Sequence, residues 1–342
     1  MISTPPRPDD PGESGAWEVV GSAGRGAVGP DEVDRAARTY WEAEADAYQA
    51  EHGAFLAGAR QVAAAGGVPA GLDGQAGTTG GPPGTTGGQA GFVWGPEGLA
   101  EEDAGLLGPV AELAGLRILE VGCGAAQCSA WLAQRGVRAI GIDIAVNQLR
   151  HSSGRPSSSP GMCHPNGHLV TAGMTQAGEP VGARGAGTLA VAAASATALP
   201  FRAASFDAAF ASYGAIQFVA DLPRLLAEVR RVLRPGARWV FSVTHPVRWA
   251  FPDDPGPAGL SVSGSYFDRA PYVERDETGA AVYAEFHRTT GEYVAALRMA
   301  GFAIEHLLEP EWPEWNDATW GGWSPLRGRH LPGTLILGCR AS

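Results

Sequence analysis

The sequence predicts an α/β fold, because short apolar strands alternate with helical segments through its second half. Residues 115–133 contain an apolar strand, a turn of small residues and a helical pattern, in that order. A second apolar strand follows at residues 137–142, and a helix over residues 222–233 is stopped by Pro235 and Gly236. With 342 residues, 44% of them hydrophobic, the chain is long enough to bury the core of one ordinary domain.

The turn after the first strand indicates the chemistry of a ligand site. Gly122 and Gly124 let the backbone approach a ligand closely, because glycine has no Cβ. A dinucleotide site needs a third glycine, and Gln127 stands at that position. Glu120, beside the turn, would repel a pyrophosphate but is tolerated beside a cation. The turn therefore favours S-adenosylmethionine, a sulfonium with an ammonium group, over a dinucleotide.

The second strand ends in an acid that fits the same ligand. Asp143 follows residues 137–142 at about the distance from the glycine turn at which such domains place a ribose-binding carboxylate. Each hydrogen bond from a ribose hydroxyl to this carboxylate would be worth roughly 1.5–3 kcal/mol. The alternative, in which Asp143 only caps a helix over residues 145–150, stays open.

Four segments of this sequence resemble the class I S-adenosylmethionine-dependent methyltransferases, near the ubiquinone and menaquinone methyltransferases. In the family's order, across residues 116–243, they are ILEVGCGAAQ, GIDIAVNQL, ALPFRAASFDAAFASYGAIQFVAD and EVRRVLRPGARWVFSV. The resemblance implies a Rossmann-like sheet of seven mostly parallel strands, an antiparallel last strand, and a small cap inserted after the fifth strand. It also implies an enzyme that uses S-adenosyl-L-methionine and acts on a small molecule.

The resemblance implies a set of cofactor-binding residues around the glycine turn and the next strand ends. These are Glu120, Gly122, Cys123, Gly124, Asp143, Ile144, Gln148, Ser195, Ala196 and Ser212. The sequence departs from the family pattern in two places. The third small residue of the turn is Ala126, and Ser195 stands where the family usually has an aspartate for the adenine amino group.

The N-terminal part is predicted to contribute a lid. A helix within residues 31–65 carries Tyr40, Trp41 and Tyr48 at helical spacing, and related enzymes lay such a helix over the cofactor. An aromatic face near a sulfonium would gain cation–π attraction. A plain packing stripe is the alternative for these residues.

Glycine- and proline-rich segments divide the chain into regions. Residues 1–30 are predicted to be a disordered tail and residues 66–91 a flexible linker, with the methyltransferase domain over residues 92–342. Within that domain, residues 151–187 are expected to be a flexible insertion. Trp94, just after the linker, is predicted to line the cofactor mouth or to be a buried staple.

The acceptor is expected to bind at the end of the fifth strand. Residues 247–288 are too long for a plain connection and are predicted to form a substrate cap. Tyr213 and His245 follow the fourth and fifth strands and are the candidate catalytic residues, with His245 as a general base if the acceptor is a hydroxyl. A capping role for His245 is the alternative. A nearby loop holds four tryptophans that pack on the cap or line an apolar pocket: Trp312, Trp315, Trp320 and Trp323.

Composition excludes several classes of function. The net charge of −11 disfavours a nucleic-acid partner, and no apolar run is long enough to span a membrane. The four cysteines have neither metal nor disulfide spacing, which indicates a reducing cytoplasm and no metal. Two rival functions remain: a nicotinamide-dependent oxidoreductase and a non-catalytic S-adenosylmethionine-binding module. Neither the acceptor atom nor the oligomeric state follows from the sequence.

Overall fold

The computed structural model describes residues 22–25, 29–56, 91–152 and 187–342. The strands of this part, in chain order, are β1 (Ser22–Arg25), β2 (Arg117–Val121), β3 (Arg138–Asp143), β4 (Thr188–Ala193), β5 (Phe206–Ala211), β6 (Leu233–Thr244), β7 (Tyr272–Arg275), β8 (Ala281–Glu285), β9 (Phe302–Leu308) and β10 (Thr334–Ala341). Its α-helices are α1 (Pro30–Leu56), α2 (Glu101–Ala104), α3 (Gln127–Gln134), α4 (Val146–Arg150), α5 (Leu222–Val232), α6 (Thr290–Met299) and α7 (Pro325–Gly328).

Seven strands form one sheet in the order β4-β3-β2-β5-β6-β10-β9. The pairs from β4 to β6 are parallel, and β10 runs antiparallel to both β6 and β9. The predicted Rossmann-like sheet with an antiparallel last strand is therefore confirmed. Because parallel strands end at the same edge, the turns after β2, β3, β4 and β5 lie side by side, where open α/β sheets bind ligands.

Helices cover both faces of this sheet. On one face, Leu225, Leu226 and Val229 of α5 pack with the sheet residue Phe241, and all four are essentially inaccessible to solvent. On the other face, α3 contributes Trp131, which packs with Phe92 and Phe210. Strands that are buried on both faces consist of continuous apolar runs, and such runs can be recognised in the sequence.

A second, three-stranded sheet has the order β1-β7-β8, with both pairs antiparallel. Its strands β7 and β8 belong to the segment predicted as a substrate cap, and α1 packs against β8. The strand β1 lies inside residues 1–30, which were expected to be disordered. For Ser22–Arg25 that expectation is wrong, because the edge of β7 supplies backbone hydrogen-bond partners that the sequence alone does not reveal.

Two predicted regions fall mainly outside the described residues: the linker at 66–91 and the insertion at 151–187. In the described part of the chain, no helix has both the length and the apolar character needed to cross a bilayer.

Candidate active site

A cavity opens at the carboxyl edge of the large sheet, beneath α1. The space between its protein atoms, mouth included, is about 1170 Å³. Its walls are the turn after β2, the ends of β3, β4 and β5, the inner side of α1, and Trp320. Ten predicted cofactor residues line it together: Glu120, Gly122, Cys123, Gly124, Asp143, Ile144, Gln148, Ser195, Ala196 and Ser212.

The glycine turn has a backbone that only small residues allow. Gly122 and Gly124 have φ angles of 72° and 50°, in the left-handed region. A Cβ on Gly122 would lie 2.4 Å from the Cβ of Ala215, so a side chain there would have to displace the loop after β5. The carbonyl oxygen of Ile142 accepts hydrogen bonds from the backbone N–H groups of Gly122 and Cys123, at 2.8 and 2.9 Å, which fixes the turn to β3.

Asp143 holds this region together and also faces the cavity. Its Oδ2 accepts from the Gly124 N–H at 2.8 Å, and its Oδ1 accepts from the Ala145 N–H at 2.9 Å. Burial raises the pKa of Asp143, although these N–H groups favour the ionised form. Each carboxylate oxygen has a second lone pair. Asp143 can therefore brace the turn and still accept hydrogen bonds from two vicinal hydroxyls.

The charge of the cavity wall fits a cationic ligand. Glu120 is buried, and its Oε2 accepts from the N–H and the hydroxyl of Ser129, at 3.1 and 2.5 Å. Together with Asp34 and Asp143, it makes three carboxylates in the lining, whereas no described lining residue is an arginine. The residues present therefore suit a sulfonium with an ammonium group and a ribose. A pyrophosphate would meet no arginine among the described lining residues.

Helix α1 lies across the strand ends and lines the cavity. Glu42 accepts hydrogen bonds from the first two backbone N–H groups of α4, at 2.6 and 2.8 Å. Further along, the Gln49 side chain accepts from Gln127 at 2.7 Å and donates to Gln148 at 3.0 Å. These contacts connect α1 to α3 and α4, the helices that follow the turns after β2 and β3.

Two residues expected at the cofactor lie elsewhere. Tyr40 turns away from the cavity and packs on Tyr283, with ring centroids 4.8 Å apart, while Trp41 and Tyr48 of the same helix do line the cavity. Trp94 is fully buried in the core, and its Nε1 donates to Glu101 at 2.9 Å. The core-staple alternative is the one that the geometry supports for Trp94.

The far end of the cavity is aromatic and apolar. Trp320 lines it together with Phe55 and Leu56 of α1. The His52 ring stacks on Trp320 at 4.4 Å, and burial lowers the pKa of His52 to about 3, so the imidazole is neutral. Of the other loop tryptophans, two pack behind this wall and Trp315 is 39% exposed.

Tyr213 joins the two ends of the cavity. It follows β5 with a φ of 56°, a conformation that is uncommon for an aromatic residue. Its backbone N–H donates to the Ser242 hydroxyl at 2.8 Å, and its phenol oxygen accepts from Thr244 at 3.3 Å. Burial raises the pKa of the phenol, so Tyr213 stays neutral near pH 7 and presents an O–H donor.

His245 is not among the residues that line the cavity. Its Nδ1 accepts from the Val247 N–H at 3.1 Å, so the ring proton is on Nε2, which lies 2.8 Å from Glu309. Burial lowers the pKa of His245, and its basic nitrogen is occupied in capping the 3₁₀ helix Pro246–Ala250. The geometry supports the capping alternative for His245, and its role as a general base stays a prediction.

Sequence reasoning missed several lining residues on α1, among them Asp34, Gln49 and Phe55. The helical pattern located α1 but could not show which strand ends it would cross. One weak signal in the sequence was the serine at position 195, where the family usually has an aspartate. In the structure an acid from α1 lies nearby, because the Ser195 hydroxyl is 3.0 Å from Asp34. Within the described ranges, no group of histidine, cysteine or acidic residues could hold a metal ion.

Comparisons with known proteins agree with this geometry. A family model described as a methyltransferase domain matches residues 119–241, which run from β2 to β6 and include the glycine turn and Asp143. No curated protein matches the sequence.

Several solved structures are similar. An S-adenosylmethionine-dependent methyltransferase from Mesorhizobium loti is 24% identical, with a TM-score of 0.47 over 67% of this chain and 92% of that one. A protein from Listeria monocytogenes, described as a putative enzyme of the same type, is 19% identical, with a TM-score of 0.49 over 68% and 93%. A 1,6-didemethyltoxoflavin-N1-methyltransferase from Burkholderia thailandensis is 15% identical, with a TM-score of 0.38 over 69% and 77%.

Proposed function

We propose that this chain, whose residues 119–241 match a methyltransferase domain, binds S-adenosylmethionine and methylates a small apolar or aromatic acceptor. When bound, S-adenosylmethionine supplies an electrophilic methyl group on a sulfonium. The observation that carries the proposal is the two-ended cavity, with carboxylates and glycines at one end and Trp320, Phe55 and Leu56 at the other.

At the cofactor end, the protein's task is to bind and orient. Asp143 would accept from the two ribose hydroxyls, and Gly122 and Gly124 would let the methionine part approach the backbone. Glu120 places a buried negative charge beside that turn. Trp41 and Tyr48 of the lid close the cavity from above and exclude water, which strengthens every electrostatic interaction inside.

At the aromatic end, alignment is the main contribution. The chain contains no lysine that could act as a base, and no described lining residue is a histidine. The neutral Tyr213 phenol can donate a hydrogen bond that fixes the acceptor's orientation. The cavity thus favours acceptors that are nucleophilic as bound, held in line with the methyl group.

Two further features support a small-molecule reaction in a reducing compartment. The net charge of −11 opposes binding to a polyanion such as nucleic acid. Among the described residues, no two cysteines form a disulfide with each other, in keeping with a cytoplasmic location.

The test is methyl transfer by the purified protein. It is incubated with S-adenosylmethionine and a panel of small planar heteroaromatic and aliphatic compounds, and S-adenosylhomocysteine release is measured by mass spectrometry. Turnover should occur with planar apolar compounds and fall at least about tenfold, at limiting S-adenosylmethionine, in an Asp143→Asn variant prepared in the same way, which controls for contaminating enzymes. Turnover only with large polyanionic acceptors would contradict the proposal.

A further inference from the structure

The Ser195 hydroxyl lines the cavity just after β4. Neighbouring residues use all of its hydrogen-bonding capacity, so none is left for a ligand. A hydroxyl has one proton and two lone pairs. The Ser195 proton goes to Asp34 Oδ2 at 3.0 Å. Its oxygen then accepts from the Thr197 hydroxyl at 2.9 Å and from the Thr197 N–H at 3.3 Å. Ser195 therefore orients Asp34 and cannot itself bond to the nucleobase of a ligand.

Asp34 has the capacity that Ser195 lacks. It lies near the start of α1, half-buried, and lines the cavity beside Ser195 and Ala196. Ser195 occupies only one of its carboxylate oxygens. Among the described residues, none donates a hydrogen bond to the other oxygen, Oδ1.

The sheet register places Asp34 where the base of a bound nucleoside would extend. Asp143 pairs with Ala193 on the adjacent strand, and Ser195 follows two residues later. Neighbouring strands lie about 4.8 Å apart, so a base attached to a ribose at Asp143 reaches the segment after β4.

We propose that Asp34, presented by the lid helix, accepts a hydrogen bond from the exocyclic amino group of the cofactor's adenine and thereby selects a 6-aminopurine. This inference rests on the proposed function. Asp34 and Phe55 belong to one helix. The position of α1 that brings Asp34 to the adenine is therefore also the position in which Phe55 forms the wall of the acceptor end. Base recognition and closure of the acceptor end are then one event.

The test compares two probes that differ only at the base. Calorimetry measures the binding of S-adenosylhomocysteine and of S-inosylhomocysteine, whose 6-oxo group offers an acceptor where adenine offers a donor. The wild-type protein should prefer the adenine probe by about tenfold or more, as a hydrogen bond to a charged group implies. In Asp34→Asn, whose amide can donate to the 6-oxo group, the preference should fall below about threefold.

Two variants serve as controls. Asp31→Asn removes the same charge from the same first turns of α1, at an exposed position outside the cavity lining, and should keep the preference. Ser195→Ala should also keep it, because Asp34 remains. A preference retained in Asp34→Asn, or lost in Ser195→Ala alone, would overturn the assignment. A wild-type protein that binds neither probe would instead overturn the proposed function.

Discussion

Replacing Asp143 by asparagine should separate the structural and ligand-binding roles of this acid. One carboxylate oxygen becomes an amide that faces a backbone N–H, so one of the two backbone hydrogen bonds, to Gly124 or Ala145, is lost. An unpaired buried donor costs about 1–3 kcal/mol of folding free energy. The ribose contacts also lose charge, which should weaken S-adenosylhomocysteine binding by about 2–3 kcal/mol, a roughly 30- to 150-fold rise in Kd.

A matched control lies at the opposite edge of the sheet. Asp207, at the start of β5, accepts from the Arg117 N–H at 2.8 Å, pairs with the Arg234 guanidinium through its other oxygen, and has no part in the cavity. Asp207→Asn removes the charge that faces Arg234, so it should lower stability in chemical denaturation, and it should leave the Kd from calorimetry unchanged. A folded Asp143→Asn variant with wild-type affinity would refute the ribose assignment and leave Asp143 as a brace for the turn. Equal changes of Kd in both variants would show that the effect is global.

Three further predictions concern the acceptor wall, pH and the turn. Trp320→Ala should raise the KM for the acceptor about tenfold or more and leave cofactor affinity within threefold of wild type. His245→Ala should leave kcat unchanged. If steady-state kinetics show the opposite pattern, the acceptor does not bind at Trp320. Burial raises the pKa of Glu97 to about 7, so the stability that its protonated form contributes is lost as pH rises from about 4.5 through 7. Glu97→Gln should consequently melt higher than wild type at pH 8 but not at pH 5. Gly122→Ala should lose about 1–3 kcal/mol in urea unfolding, and an unchanged midpoint would mean that Ala215 moves aside freely.

The parts of the site made by consecutive residues could be predicted from the sequence. The apolar strand predicted at residues 137–142 is β3 (Arg138–Asp143), and the glycine turn directly precedes α3 as expected. In both cases the information is local, since a buried strand needs an apolar run and a left-handed φ angle favours glycine. The resemblance added the strand order, which no local pattern contains.

The parts made by distant contacts could not be predicted. Asp34 and Ser195 are 161 positions apart in the chain, and the sequence around neither residue indicates that the two side chains are in contact. His245 looked like a base because its neighbour Glu309, 64 positions away, and its capping geometry were unknown. Trp94 was ambiguous for the same reason, since its partner Glu101 decides that the indole belongs to the core.

The pairing of β1 with β7 has a practical consequence for anyone who trims this protein. Ser22–Arg25 covers one side of β7, whose other side is covered by β8. A version that starts at α1 would leave the backbone donors and acceptors of β7 bare, and bare strand edges recruit other chains into aggregates. Poor solubility of such a shortened protein would then reflect an uncovered edge and not a failed catalytic domain, and keeping residues 22–25 should restore it.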